Sequence, residues 1–224
     1  MTAAGAAAAR LVSGVAAARA DARTPNFRGL LGEPAWAELP AAVRARFDAA
    51  AHAAPREYPG AMDVRMNWLG LLFARACQLV GSPLAPWPGE AVPVSVHVSR
   101  DPGGGVRWER VYAYPGRFPL SIVSMKLAAR DGTLLEVTRG GVGMRLSLGV
   151  EAGALIFRSS GYFWRVGRWL APLPALLTPG CCTVVHRDLG GGRFHFSLNF
   201  RHPLAGETLV NAGDFTDPRP EAGR

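Results

Sequence analysis

Five ionisable side chains stand on stretches that alternate as β-strands do: His97, Arg110, Glu136, His186 and His195. A histidine beside a carboxylate can move a proton near neutral pH, because its own titration lies there. His195 leads the set. It belongs to R-F-H-F-S-L-N-F-R, where Phe194, Phe196, Leu198 and Phe200 share one parity and Arg193, His195, Ser197, Asn199 and Arg201 the other. A period of two puts one group against a core and the other against water or a lined cavity. Glu136 is a lone carboxylate between Leu135 and Val137, a setting that is either solvated or buried and paired. Arg110 shares its strand face with Trp108, Tyr112 and Tyr114 and suits a carboxylate or another anion. In one cavity, His195, Glu136 and Arg110 would serve as base, acid and anion holder. A solvated strand face is the commoner reason for such residues.

Other chemistries find less support. Cys181, Cys182 and His186 are close in sequence, but alternation sends Cys182 and His186 to one face and Cys181 to the other. Buried thiols are favoured over a metal site, and no metal is expected. There is no G-x-S-x-G elbow, P-loop or H-E-x-x-H. The early glycines do not follow a strand and open a helix, so a dinucleotide site is unsupported and no cofactor is expected.

Composition narrows the partners. The 224 residues are 49% hydrophobic, enough for a sizeable core, and the formal net charge is +8. That charge suggests nucleic acid, lipid headgroups or acidic ligands. Almost all of it is arginine, spread along the chain, with Lys126 the only lysine. A nucleic-acid footprint would be clustered, so nucleic acid is disfavoured. Three cysteines give no disulfide framework, and the default is a reducing, cytoplasmic compartment.

The elements that must position these residues are mostly strands. Residues 1–28 are Ala-rich, broken by arginines, and expected to be a flexible tail. A helix is expected over residues 39–53, where Leu39, Val43 and Phe47 recur at i, i+4 and i+8. Residues 60–66 alternate as a strand. Residues 68–80 are apolar nearly all round and stop at Gly81, which reads as a buried helix. From Val92 onward, short strands alternate with glycine turns at Gly103–Gly105, Asp131–Gly132, Gly140–Gly141 and Gly190–Gly192. This is an antiparallel meander, without βαβ units. Residues 161–177 interrupt it with aromatics among arginines, expected as a loop over one barrel end, a lid on a cavity or a contact with a membrane surface. Residues 207–215 read as a last edge strand, and 216–224 as a C-terminal tail.

G-R-F-H-F over residues 192–196, with Pro203, Leu204 and Gly206, resembles an uncharacterised bacterial family, the domain of unknown function numbered four-one-six-six. Leu39-Pro40, Gly60 with Val64, Trp108 and Arg110, Gly116-Arg117-Phe118, Ser121, Glu136, and Pro172 with Pro174 follow in the family's order. The resemblance spans residues 39–215. Fusion of family members to oxidoreductase-like domains implies an oxidoreductase partner and work on a small lipophilic molecule.

The expected fold is α+β: residues 29–215 form one domain, a strongly curved antiparallel sheet or barrel of about eight to ten strands with two N-terminal helices at one opening. A helix-grip fold is disfavoured because this chain ends in a strand, a proline and a polar tail. The leading expectation for function is a binding or accessory module holding a lipophilic ligand, with Trp108, Tyr112, Phe163, Trp164 and His97 as binding residues. A cofactor-independent isomerase or cyclase using His195, Glu136 and Arg110 is the alternative, and attachment to an anionic membrane surface the weaker one.

Overall fold

The computed structural model describes residues 23–81, 84–167 and 169–218. Its eleven strands are β1 (Arg56–Met66), β2 (Gly89–Arg100), β3 (Val106–Tyr112), β4 (Leu120–Ala128), β5 (Leu134–Thr138), β6 (Val142–Glu151), β7 (Ala154–Val166), β8 (Trp169–Leu173), β9 (Cys181–Gly190), β10 (Arg193–His202) and β11 (Gly206–Thr216). All pairings between them are antiparallel. Neighbours in sequence are neighbours in the sheet except for β8 and β9; β7 pairs with β9, and β1 pairs with β11. Ten strands therefore close into an up-and-down barrel, and β8 hangs on β7 as an extra strand.

Closure uses the stretch expected to be an edge. Residues 207–215 lie in β11, which is paired on both sides, with Phe194↔Phe215 toward β10 and Gly60↔Phe215 toward β1. Alternation tells which face of a strand is buried; it does not tell how many neighbours the strand has.

The inward parity is the apolar one. Phe194, Val184, Leu155, Leu134, Val98 and Met62 are buried inside. The outer wall carries Glu57, His97, Glu109, Arg193 and His195, a water-facing surface rather than a lipid-facing one. A second apolar cluster lies outside the barrel, where Leu127, Leu135, Val137, Phe163 and Leu170 pack together on β4, β5, β7 and β8.

The two ends of the barrel differ. At one end β1, β3, β5, β7 and β10 begin. It is plugged by α1 (Phe27–Leu31), α2 (Glu33–Glu38), α3 (Ala41–Phe47) and a 3-10 turn, Ala49–His52. Phe27, Trp36, Leu39, Val43 and Phe47 enter the main core from this segment. The helix expected over 39–53 is interrupted at Asp48, whose extended backbone ends α3 while its carboxylate accepts from Ala50 N and caps the next turn. Residues 1–22 of the expected tail lie outside the described residues. Its last six do not: Arg23 bridges to Ala128, and Phe27 is 1% exposed.

Across the other end lies α4 (Trp68–Leu79), inserted between β1 and β2. Asn67 caps it by accepting from Gly70 N, and its amide donates to the carbonyls of Ala205 and Glu207. A Cβ at Gly70 would overlap the Thr208 carbonyl, so only glycine lets the helix cross β11 this closely. The sequence reads this helix as buried. Only Gly70 and Ala74 are, and Trp68, Leu72 and Leu79 are exposed. A helix lying over a barrel mouth packs one stripe and leaves the remainder uncovered. No helix among the described residues is long and apolar enough to cross a membrane.

Candidate functional site

Beneath α4 the barrel encloses a cavity of about 290 Å³, close to the lower end of the roughly 300–1,000 Å³ typical of ligand sites. Its wall is mostly apolar: Ile122, Met144, Phe196, Leu198 and Phe200 from the strands, and Phe73, Ala76 and Cys77 from α4. Arg110 and Phe196 form its floor, with the guanidinium 5.9 Å from the ring centroid. Both also line a void of only about 30 Å³ on the plugged side, among Arg46, Phe47, Trp108 and Phe194.

At the floor sits a buried polar cluster made by β3, β4 and β5. The register Lys126↔Glu136 and Ser124↔Thr138 brings β4 and β5 together, and Trp108↔Ser124 adds β3. Ser124 Oγ donates to Glu136 Oε1 at 2.6 Å, and Lys126 Nζ donates to Oε2 at 3.0 Å. Lys126 also lies 4.7 Å from the Trp108 ring and 5.5 Å from Phe157. Burial opposes ionisation of Glu136, but the Lys126 and Arg110 cations outweigh it and hold its pKa below the ordinary value. Burial lowers the pKa of Lys126, with Glu136 pulling the other way.

Arg110 is served less well. Its Nη1 is 3.4 Å from Ser124 Oγ, and its Nη2 is 3.9 Å from Glu136 Oε1, beyond hydrogen-bond reach. The cluster thus holds two cations and one carboxylate, and that carboxylate is engaged by Ser124 and Lys126. Among the described residues, the guanidinium keeps donors for an oxygen in the cavity. Higher on the wall, Asn211 donates to the Tyr112 hydroxyl at 3.3 Å while its buried Oδ1 has no partner. Tyr162 donates to Gly180 O at 2.6 Å and closes one side.

The residues expected to act together are divided. Arg110 and Glu136 meet in the cavity. His195 is on the outer wall, with Nδ1 2.7 Å from Asp214 Oδ1, its cross-strand neighbour. Phe194 and Phe196 take the interior places on that strand. His97 is also outside, opposite Glu57 and Glu109. Tyr112 lines the cavity, whereas Trp108 lines the small void below.

Phe163 is buried in the outer cluster, and Trp164 is 44% exposed with Nε1 donating to Gly140 O. The stretch 161–177 is no separate lid: it continues β7, forms β8 and ends in a 3-10 turn, Ala175–Leu177. A register shift between Arg145 and Leu146, opposite residues 159–161, moves the inward parity of β7 to Tyr162. Lys126, Ser124 and Asn211 do not stand out as site residues in the sequence, and Tyr162 does so only as part of the expected lid over residues 161–177. The signal for Lys126 was its being the only lysine, placed in an apolar strand; Asn211 stands between Val210 and Ala212.

His186 and Cys182 do share the inner face, as alternation required. His186 is packed 5.0 Å from Phe47 and 4.4 Å from Phe194, ring to ring. Burial, and then the nearby Arg46, pushes its pKa down to about 3. Burial raises the pKa of the Cys182 thiol. Among the described residues no three His, Cys, Asp or Glu side chains are arranged to hold a metal ion.

Among solved structures the chain is similar to a point mutant of the fluorescent protein UnaG. Identity is 12%, coverage is 73% of this chain and 95% of that one, and the TM-score is 0.32. No curated protein matches the chain. The sequence from Leu39 to Phe215, spanning α3 and the 3-10 turn of the plug, the barrel and the β3–β5 cluster, matches one family along its length. The chain belongs to that family, described as a domain of unknown function, DUF4166.

Proposed function

We propose that this barrel binds a small lipophilic molecule, with an apolar body in the cavity and an oxygen-bearing end group at Arg110. The observation that carries the reading is the pairing pattern on the cavity floor. Glu136 is engaged by Ser124 and Lys126, so a second cation, Arg110, faces an apolar cavity with donors to spare. A buried guanidinium favours a planar oxyanion such as a carboxylate. Asn211 and Tyr112 offer the same ligand a second polar contact.

The enzyme alternative gains less support. His195 stands outside the barrel, and the Glu136 carboxylate is held by two donors with its pKa lowered. A carboxylate stabilised in this way is a weak base, whereas a cofactor-independent isomerase needs one whose pKa suits proton abstraction near neutral pH.

Native mass spectrometry of the purified protein tests for a co-purifying ligand. Titration with a fluorescent long-chain carboxylic acid then measures affinity. Arg110→Met should weaken binding by about ten-fold or more, the worth of one charge-assisted hydrogen bond. Leu198→Trp, which projects an indole into the cavity and narrows it, should also weaken binding. Equal binding by wild type and Leu198→Trp would defeat the reading.

A further inference from the structure

The described residues include twelve large apolar side chains that are exposed, and their placement is uneven. Eleven lie at the end of the barrel where β1, β3, β5, β7 and β10 finish; Leu189 is the exception. Trp68, Leu72 and Leu79 are on α4, Phe118 on the β3–β4 turn, Leu177 beside β8, and Leu204 on the β10–β11 turn. Exposures there reach 93% for Phe118 and 90% for Leu79. A soluble surface scatters such residues singly, whereas a concentration on one end marks a docking face.

Charge says what the face meets. Arg65, Arg75, Arg117, Arg139 and Arg201 are exposed at the same end, against Asp63, Glu90 and Glu207. Two copies meeting through this end would bring like charges together. A bilayer with anionic headgroups satisfies both components: apolar side chains enter the interface and arginines meet the lipid phosphates. The face is also continuous with the cavity. Phe73, Cys77 and Val80 of α4 and its flank line the interior, while Leu72 and Leu79 of the same helix point outward. Two backbone contacts hold the helix in place across the mouth, from Asn67 N to Thr208 O at 3.1 Å and from Gly140 N to Gly81 O at 2.8 Å.

We infer that the α4 end of the barrel docks onto an anionic lipid bilayer, with α4 lying at the membrane interface above the cavity mouth. The inference goes beyond ligand binding and does not require it. The full chain is sedimented with phosphatidylcholine vesicles and with vesicles containing about 30% phosphatidylglycerol, an anionic surface of the kind that attracts basic segments. It should pellet with the anionic vesicles, and less so as salt is raised from about 0.1 to 0.5 M, where charge attraction is screened. Arg75→Glu combined with Arg139→Glu should weaken association by at least twenty-five-fold, at about five-fold for each arginine removed. Trp68→Ser, Leu72→Ser and Leu79→Ser together should weaken it by more than ten-fold, with an unchanged circular dichroism spectrum because all three are more than half exposed.

Leu198→Trp should pellet as wild type, which separates docking from occupancy of the cavity. Indifference of pelleting to the serine variant, or no pelleting with anionic vesicles, would overturn the inference. So would a concentration-dependent dimer that the serine variant abolishes, which would assign the face to a second copy.

Discussion

Asp217, one residue beyond β11, grips Arg46 of α3 through two parallel hydrogen bonds of 2.6 and 2.7 Å, across 171 residues of chain. Asp188 adds a third at 3.0 Å, and the guanidinium lies 4.6 Å from the Phe194 centroid. Burial works against the charge on Arg46, but the two carboxylates outweigh it and its pKa is raised. The strand that closes the barrel is thereby fastened to the helical plug at the opposite end from the cavity mouth.

Loss of that grip should be measurable. Asp217→Ala leaves Arg46, which is 5% exposed, with Asp188 as its remaining carboxylate partner. The expected cost is roughly 1.5–3 kcal/mol, the range for a hydrogen bond to a charged group. Urea unfolding measures it, and an unchanged midpoint would show that the latch contributes nothing.

At the cavity floor the asymmetry between removing one charge and removing two should be visible. Glu136→Leu leaves Lys126 buried without its counter-charge, and destabilisation of roughly 3–5 kcal/mol is expected. Glu136→Leu with Lys126→Met removes both members of the pair and should regain part of it, because Arg110 stays buried without a nearby carboxylate. If the double variant is no more stable than the single one, the account of Lys126 as a partner of Glu136 is wrong.

Acid should destabilise the fold before its carboxylates titrate. His52 and His186 are buried, and burial depresses their pKa values to about 4 and about 3 from an ordinary 6.5. Between pH 6.5 and those values the unfolded chain takes up protons that the folded chain refuses. Stability is therefore fully present above pH 6.5 and falls as pH falls toward 4. Glu136, also lowered, adds to the loss below about 4.5. Melting temperatures from pH 7 to pH 4 should decline, and His186→Phe should reduce the slope. A flat profile between pH 7 and pH 5 would contradict the neutral, buried state of both rings.

The sequence reveals faces more readily than neighbours. The parity of residues 193–201 is read correctly because apolar and polar residues alternate without error, and the phenylalanines are indeed inside. What that parity means for His195 depends on Asp214, which stands opposite only once the β10–β11 register is set. Residues 162–164 are misread because the register shift moves Tyr162 inward and Phe163 outward, and no residue type announces it. Glu136 is legible as solvated or paired, but the choice rests on Lys126, ten residues away and across a hairpin. The apolar circumference of α4 signals burial in a sequence, and in the fold it marks a helix with one face left over.

Closure of the sheet also bears on how copies of the chain avoid one another. Each barrel strand has partners on both sides, so the ring offers few unpaired backbone groups for another chain to extend. β8 departs from this, since β7 is its partner. It is five residues long and contains Pro172, which has no N–H to donate. A short, proline-bearing edge is a poor template for edge-to-edge growth, so the architecture guards against fibrous aggregation at the place where its sheet is left open.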